Sequence, residues 1–160
     1  MSIALTATAF ALSGLALPAQ AAPAQDYCVA VVSKTGQVAK TCDVRQGTPK
    51  LLAARAAASS KLMTWYDNWK FDASAGAVEW WGSFGTCDKD GYTINMDANN
   101  FPSWKNRISS FRVHEACWVT MAYYDAYSPS GPSARYTGSV EWVGNDYREN
   151  DNFEGFHVST

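Results

Sequence analysis

Two nine-residue stretches of this chain repeat one pattern. Residues 105 to 113 read KNRISSFRV, and residues 150 to 158 read NDNFEGFHV. At an offset of 45 positions Ile108 meets Phe153, Phe111 meets Phe156 and Val113 meets Val158. In each copy a polar, Asn-containing turn runs into an apolar alternation, the period of a half-buried strand. A second echo lies upstream of each: AVEWWG at 77 to 82 and SVEWVG at 139 to 144, offset by 62 positions. Two phrases in one order at unequal spacing are what a duplicated β unit leaves, because loops change length while strands stay put. Chance likeness between short aromatic-rich phrases is the competing explanation.

The surrounding texture is all β. From Leu62 onward, aromatic and β-branched residues alternate with polar ones, and all seven Trp of the chain fall here. TCDKDGY, DANNFPSW and YSPSGPSARY are turn-rich breaks between the alternations. Residues 62 to 160 have room for about eight short strands, which predicts a two-sheet sandwich.

The preceding residues differ. Residues 1 to 25 carry no charge, and Ala19-Gln20-Ala21 fits a small-residue cleavage site, so residues 1 to 21 read as a secretory signal segment. Its start lacks Lys or Arg, and a buried N-terminal helix is the alternative. No other long apolar run exists, so no membrane partner is expected. Residues 22 to 61 read as an aromatic-poor arm: a hairpin to residue 43, then a short helical linker with Thr48 as cap and Pro49 in the first turn.

Export and an even cysteine count point to two disulfides among Cys28, Cys42, Cys87 and Cys117. Three pairings are open. We favour Cys28 with Cys42, around the polar SKTGQ turn, and Cys87 with Cys117. A zinc site is disfavoured by the lack of C-x-x-C spacing. The 13 basic and 15 acidic residues leave a net charge of −2 with no basic cluster, which excludes nucleic acid as an expected partner.

The turn in KNRISSFRV resembles the N/D-N/D-x-x-S/T-S turn of β/γ-crystallin-like domains. Residues 105 to 110 match five of six positions, with Lys105 in the first; residues 150 to 155 keep Asn150 and Asp151 but lose both hydroxyls to Glu154 and Gly155. Tyr66 and Phe71 keep the spacing of the family's aromatic corner, with Ala73 where Gly would stand. The resemblance covers residues 62 to 160. It implies two Greek-key units packed as a β/γ-crystallin-like sandwich, and a place among small exported bacterial members such as metalloproteinase-inhibitor and killer-toxin-like proteins. In calcium-binding members this turn ligates Ca²⁺. Here the motif is degenerate at Asn106, Ser109, Ser110, Asn150 and Asp151, with Lys105 and Glu154 at ligand positions, so calcium binding is expected to be weak or absent and no metal or other cofactor is assigned.

Catalysis has few candidates. The histidines are His114 and His157, and neither H-E-x-x-H nor G-x-S-x-G occurs. Folding could pair carboxylates, for example Glu79 with Glu141 at matching places in the second echo, but symmetry-related surface charges explain these more simply. A hydrolytic enzyme is therefore the least favoured reading. The leading one is a secreted, non-enzymatic module that binds an extracellular protein, as an inhibitor, toxin component or adaptor. Expected contacts are Val29, Val31 and Lys34 in the arm, and Trp80 or Trp81, since adjacent residues of a strand cannot both face inward. A carbohydrate-binding, lectin-like module is the alternative.

Overall fold

In the computed structural model, which describes residues 26 to 96, 101 to 125, 131 to 144 and 150 to 160, the alternating segments become nine strands. They are β1 (Asp26–Val32), β2 (Val38–Asp43), β3 (Ser60–Tyr66), β4 (Gly76–Gly82), β5 (Tyr92–Asn95), β6 (Ser110–Val113), β7 (Val119–Tyr123), β8 (Ser133–Thr137) and β9 (Gly155–Ser159), with one helix, α1 (Pro49–Ala56), before β3. The expected signal segment, residues 1 to 21, lies outside the described residues, as do residues 22 to 25 of the arm. Among the described residues no helix is long and apolar enough to cross a membrane.

Two sheets form, ordered β2-β1-β4-β3-β6 and β5-β9-β7-β8. Within them the duplication is explicit. β4 and β6 flank β3, both antiparallel, while β5 crosses over to pair with β9. β8 and β9 flank β7 in the same way, while Val140 crosses back to bridge Phe111 of β6. Each unit is a Greek key whose third element belongs to the other unit's sheet.

The turns leading into β6 and β9 match residue for residue. Asn106 and Asp151 both take a left-handed conformation, with φ of 56° and 54°. Asn106 donates its N–H to the Phe153 carbonyl at 3.3 Å, and Asp151 donates to the Ile108 carbonyl at 3.5 Å. Ser109 donates to Tyr66 at 3.0 Å, and Glu154 to Tyr123 at 2.9 Å. KNRISSFRV and NDNFEGFHV are therefore equivalent elements.

The second echo is not positional. VEWWG lies in β4, the second strand of its unit, whereas VEWVG follows β8 and contains the Val140 bridge. The counterpart of β4 is β8. Trp80 is fully buried while Trp142 is 55% exposed, so similar letters serve opposite environments. Glu79 and Glu141 are likewise not mates. β3 and β6 lie between β4, which carries Glu79, and the Val140 bridge beside Glu141, and Glu79 is held by Arg55 at 2.7 Å and Lys61 at 3.0 Å.

Aromatic side chains join the sheets. Trp65 of β3 packs on Phe156 of β9 with centroids 4.8 Å apart, and Phe111 meets Phe156 edge-on at 6.2 Å. Trp80 lies 4.6 Å from Trp65 and 5.1 Å from Phe101. All five are at most 1% exposed. Such side chains supply most of the burial available to a sandwich of this size.

The expected disulfide-closed hairpin is present, and it is built into the first sheet. β1 is the second strand of the five-stranded sheet, antiparallel to β2 and parallel to β4. Cys28, Ala30 and Val32 enter the core on one face of β1. Val29 is 1% exposed on the opposite face, which α1 covers with its buried Leu51. Val29, expected as a partner contact, is a packing residue, and of the adjacent pair Trp80 and Trp81 it is Trp80 that packs inward while Trp81 stays half-buried. The expected boundary at residue 62 falls inside β3. Both favoured disulfides are present, Cys28 to Cys42 and Cys87 to Cys117.

Deleting residues 22 to 61 should therefore unfold the remainder, because it uncovers the length of β4 and removes three core side chains. Circular dichroism and urea titration of the truncated chain check this; a cooperative transition close to that of the whole chain would contradict it.

Candidate functional site

Large apolar side chains left in solvent mark where to look. Trp69 is 59% and Trp142 55% exposed, and both line one cavity of about 350 Å³ with Asp67, Asn68, Ser109 and Asn150. The cavity straddles the two units: residues 67 to 69 and 109 come from the first, 142 and 150 from the second.

The sequence builds this groove around the start of β6. After β3 the chain reverses through Lys70 and Phe71, with φ of 54° and 62°. The Ser110 hydroxyl ties down both ends of that reversal, donating to the Asn68 carbonyl at 2.6 Å and accepting the Phe71 N–H at 3.1 Å. Tyr66 and Phe71 close the aromatic corner at 5.9 Å, and the Arg112 guanidinium stacks 4.2 Å from the Phe71 ring. On the opposite wall, Val143 donates to the Ser109 carbonyl at 2.8 Å. Lys70 then joins the walls by donating its N–H to the Glu141 carbonyl at 2.7 Å. Trp69 and Trp142 each sit next to one end of that bond.

The polar lining is also fixed. Arg107 grips Oδ2 of Asp67 through Nε at 3.2 Å and Nη2 at 2.7 Å. Asn68 donates to Asp72 Oδ2 at 3.1 Å and Ser74 Oγ at 3.0 Å. That uses both amide hydrogens and keeps its carbonyl oxygen an acceptor. Ser109 donates to Asp151 Oδ1 at 3.2 Å, and Asn150 donates to Asp151 Oδ2 at 2.7 Å. Partial burial, with the nearby charge of Asp67, pushes the Asp151 carboxyl above its ordinary value despite these bonds.

The residues at the family's calcium positions fit a metal poorly. Lys105 and Glu154, from opposite units, pair at 2.8 Å, so an ammonium meets the carboxylate at that end. At the other end Ser109, Asn150 and Asp151 bond one another. Among the described residues no group of three or more His, Cys, Asp or Glu is placed to hold a metal. Asn106, Ser109 and Ser110 act as turn and buttress residues, and the DKDG stretch is a turn in which Asp88 Oδ1 accepts the N–H of Asp90 at 3.0 Å and of Gly91 at 2.9 Å.

The other sequence candidates are dispersed. Trp81 is half-buried and donates to Glu79 Oε2 at 3.3 Å. Val31 is half-buried in a shallow surface cleft with Val38, Ala39 and Ser83. Lys34 pairs with Asp88 at 2.8 Å and lies 4.2 Å from the Tyr92 ring. His114 contacts Thr64 Oγ1 at 2.9 Å, and His157 contacts Thr93 Oγ1 at 3.3 Å. Sequence reasoning missed Trp69 and Trp142. Their signal was placement: Trp69 lies in the turn-like DNWK and Trp142 one residue short of a Gly144-Asn145 turn signal, outside sustained alternation.

No protein-family model and no curated protein matches the chain. Among solved structures, a βγ-crystallin domain from Clostridium beijerinckii is 19% identical with a TM-score of 0.44, covering 62% of this chain and 98% of that one. A βγ-crystallin domain from Flavobacterium johnsoniae is 18% identical with a TM-score of 0.41, over 61% and 92%. The N-terminal domain of protein S is 16% identical with a TM-score of 0.43, over 62% and 96%. The fold itself rests on strand order and the reciprocal turn bonds. It is an all-β, β/γ-crystallin-like sandwich of two Greek-key units, with an N-terminal disulfide hairpin and a short helix.

Two outcomes follow. Burial, helped by Lys61 for His114 and Lys34 for His157, holds both imidazoles below the ordinary 6.5. The folded chain then binds these protons less readily than the unfolded chain. Their contribution to stability is present above pH 6.5 and is lost as the pH falls through the lowered values. Asp151, raised, works in the opposite direction. Thermal melts from about pH 7 to 5 should show a falling melting temperature, flattened by H114Q/H157Q; an unchanged slope in that variant would contradict the assignment. Calcium should shift the melting temperature little. A site at a hundredfold excess over Kd would add about 2.7 kcal/mol, several degrees for a chain this size, and a shift of that kind at sub-millimolar calcium would overturn the reading of Lys105 and Glu154.

Proposed function

We propose that this chain is an exported, non-enzymatic binding module whose recognition surface is the groove between Trp69 and Trp142. The carrying observation is the pair of largely exposed indoles flanking a cavity of about 350 Å³ with fixed polar side chains. Aromatic walls with a few convergent polar groups are the usual make-up of a ligand site, and this volume lies at its lower end. Two disulfides support export, since such bonds persist in oxidising compartments. Against catalysis, each histidine is engaged by a threonine hydroxyl, and Glu79 is neutralised by two cations.

A protein-binding role as inhibitor, toxin component or adaptor is a second reading with its own surface. Phe84 is 73% exposed beside Lys34 and Thr35 at the β1–β2 turn, an apolar anchor with a charged rim.

The test screens the whole chain against a glycan array and a displayed peptide library. Wild type should give reproducible hits that W69A and W142A each weaken by about tenfold or more, the scale of a central aromatic contact. Melting temperatures should stay within about 2 °C, because exposed positions carry little stability. Hits that survive both substitutions but disappear in F84A would move the binding surface to the β1–β2 turn.

A further inference from the structure

We infer that the ligand of the Trp69/Trp142 groove is a neutral saccharide chain. The inference rests on the reading of that groove as the binding surface, and three features of the groove select the chemistry.

The first is the combination of walls. A pyranose ring has an apolar face of C–H groups and a rim of hydroxyls. The groove offers two exposed indoles, Trp69 with the Lys70 ammonium 4.5 Å from its ring, together with Asp67, Asn68, Ser109 and Asn150. Carboxylate, amide and hydroxyl groups accept from and donate to sugar hydroxyls in the directions a rigid rim presents. An apolar ligand would strand these polar groups without partners on desolvation.

The second is charge. Among the described residues that line the groove, none is basic. The one carboxylate among those described lining residues, Asp67, is already matched by the Arg107 guanidinium. Among the described lining residues nothing would neutralise a uronate or a sulfate, and the Lys70 ammonium beside the groove is held over the Trp69 ring at 4.5 Å, so an acidic glycan finds no dedicated partner.

The third is the state of the backbone. A peptide adding to a sheet needs free main-chain donors and acceptors along an edge. In this groove the N–H groups of Lys70, Phe71 and Val143 and the carbonyls of Asn68, Ser109 and Glu141 are already paired. Side chains are what remain to read a ligand, and their orientations are set in advance by Ser74, Asp72, Arg107 and Asp151. A pre-set polar array loses little side-chain entropy on binding.

The experiment is isothermal titration calorimetry of the whole chain with cellopentaose, chitopentaose, xylopentaose and mannopentaose, with pentagalacturonate as the acidic comparison. The expected result is saturable binding of at least one neutral oligosaccharide. That binding should weaken about tenfold or more in W69A and in W142A, be partly retained in W69F and W142F, and be unchanged in W118A, whose exposed indole lies outside the groove. Preference for pentagalacturonate would overturn the charge argument. If no neutral oligosaccharide binds while the peptide library gives hits that W69A and W142A abolish, the saccharide inference fails and the groove remains the binding surface. If a neutral oligosaccharide binds equally to wild type and to the W69A/W142A double variant, the groove reading fails with it.

Discussion

The exchange of third elements between the two Greek keys is the constraint on which the rest depends. β5 completes the sheet of the second unit, and residue 140 returns to the sheet of the first, where Phe111 and Val140 bond each other at 3.0 and 2.8 Å. Neither sheet is finished by its own unit. Trp65 against Phe156 closes the interface between them, so the aromatic core and the exchange stabilise each other. The groove inherits this arrangement, because one wall descends from each unit and the Lys70 to Glu141 bond seams them.

The N-terminal segment extends that frame. From the sequence, YCVAVV is half of a disulfide-closed hairpin outside the duplicated region, open either to docking on a partner or to folding back over its own domain. Its near-continuous apolar character has another physical meaning: strands covered on both faces do not alternate. β1 is such a strand, with Ala30 in the core on one side and Val29 under α1 on the other. The parallel pairing with β4 needs a long connection, and the chain reaches β4 only through β2, α1 and β3. Periodicity within a short segment cannot report a partner that distant.

What was legible in the sequence followed from local chemistry. The polar turns at Asn106 and Asp151, the two strands they feed, the aromatic corner at Tyr66 and Phe71, and the helix start at Pro49 all depend on residues close in sequence. The site was obscured for the opposite reason. Trp142 looked like a copy of buried Trp80, and only the crossing of residue 140 to β6 turns it outward. Ser109 and Ser110 were recognised as turn residues, yet their role as the buttress under both Trp loops depends on contacts at separations of about 34 to 42 residues. Lys105 and Glu154 were singled out separately and proved to be partners across the two units.

Native-state hydrogen exchange tests the interlocked frame most directly, since it reports the opening free energy of individual amides. The amides of Phe111 and Val140 and those of β5 and β9 should exchange only through a common, global opening, with equal free energies that fall together as urea is added. An opening of one sheet at clearly lower free energy, with the other still protected, would contradict the claim that each unit completes its partner.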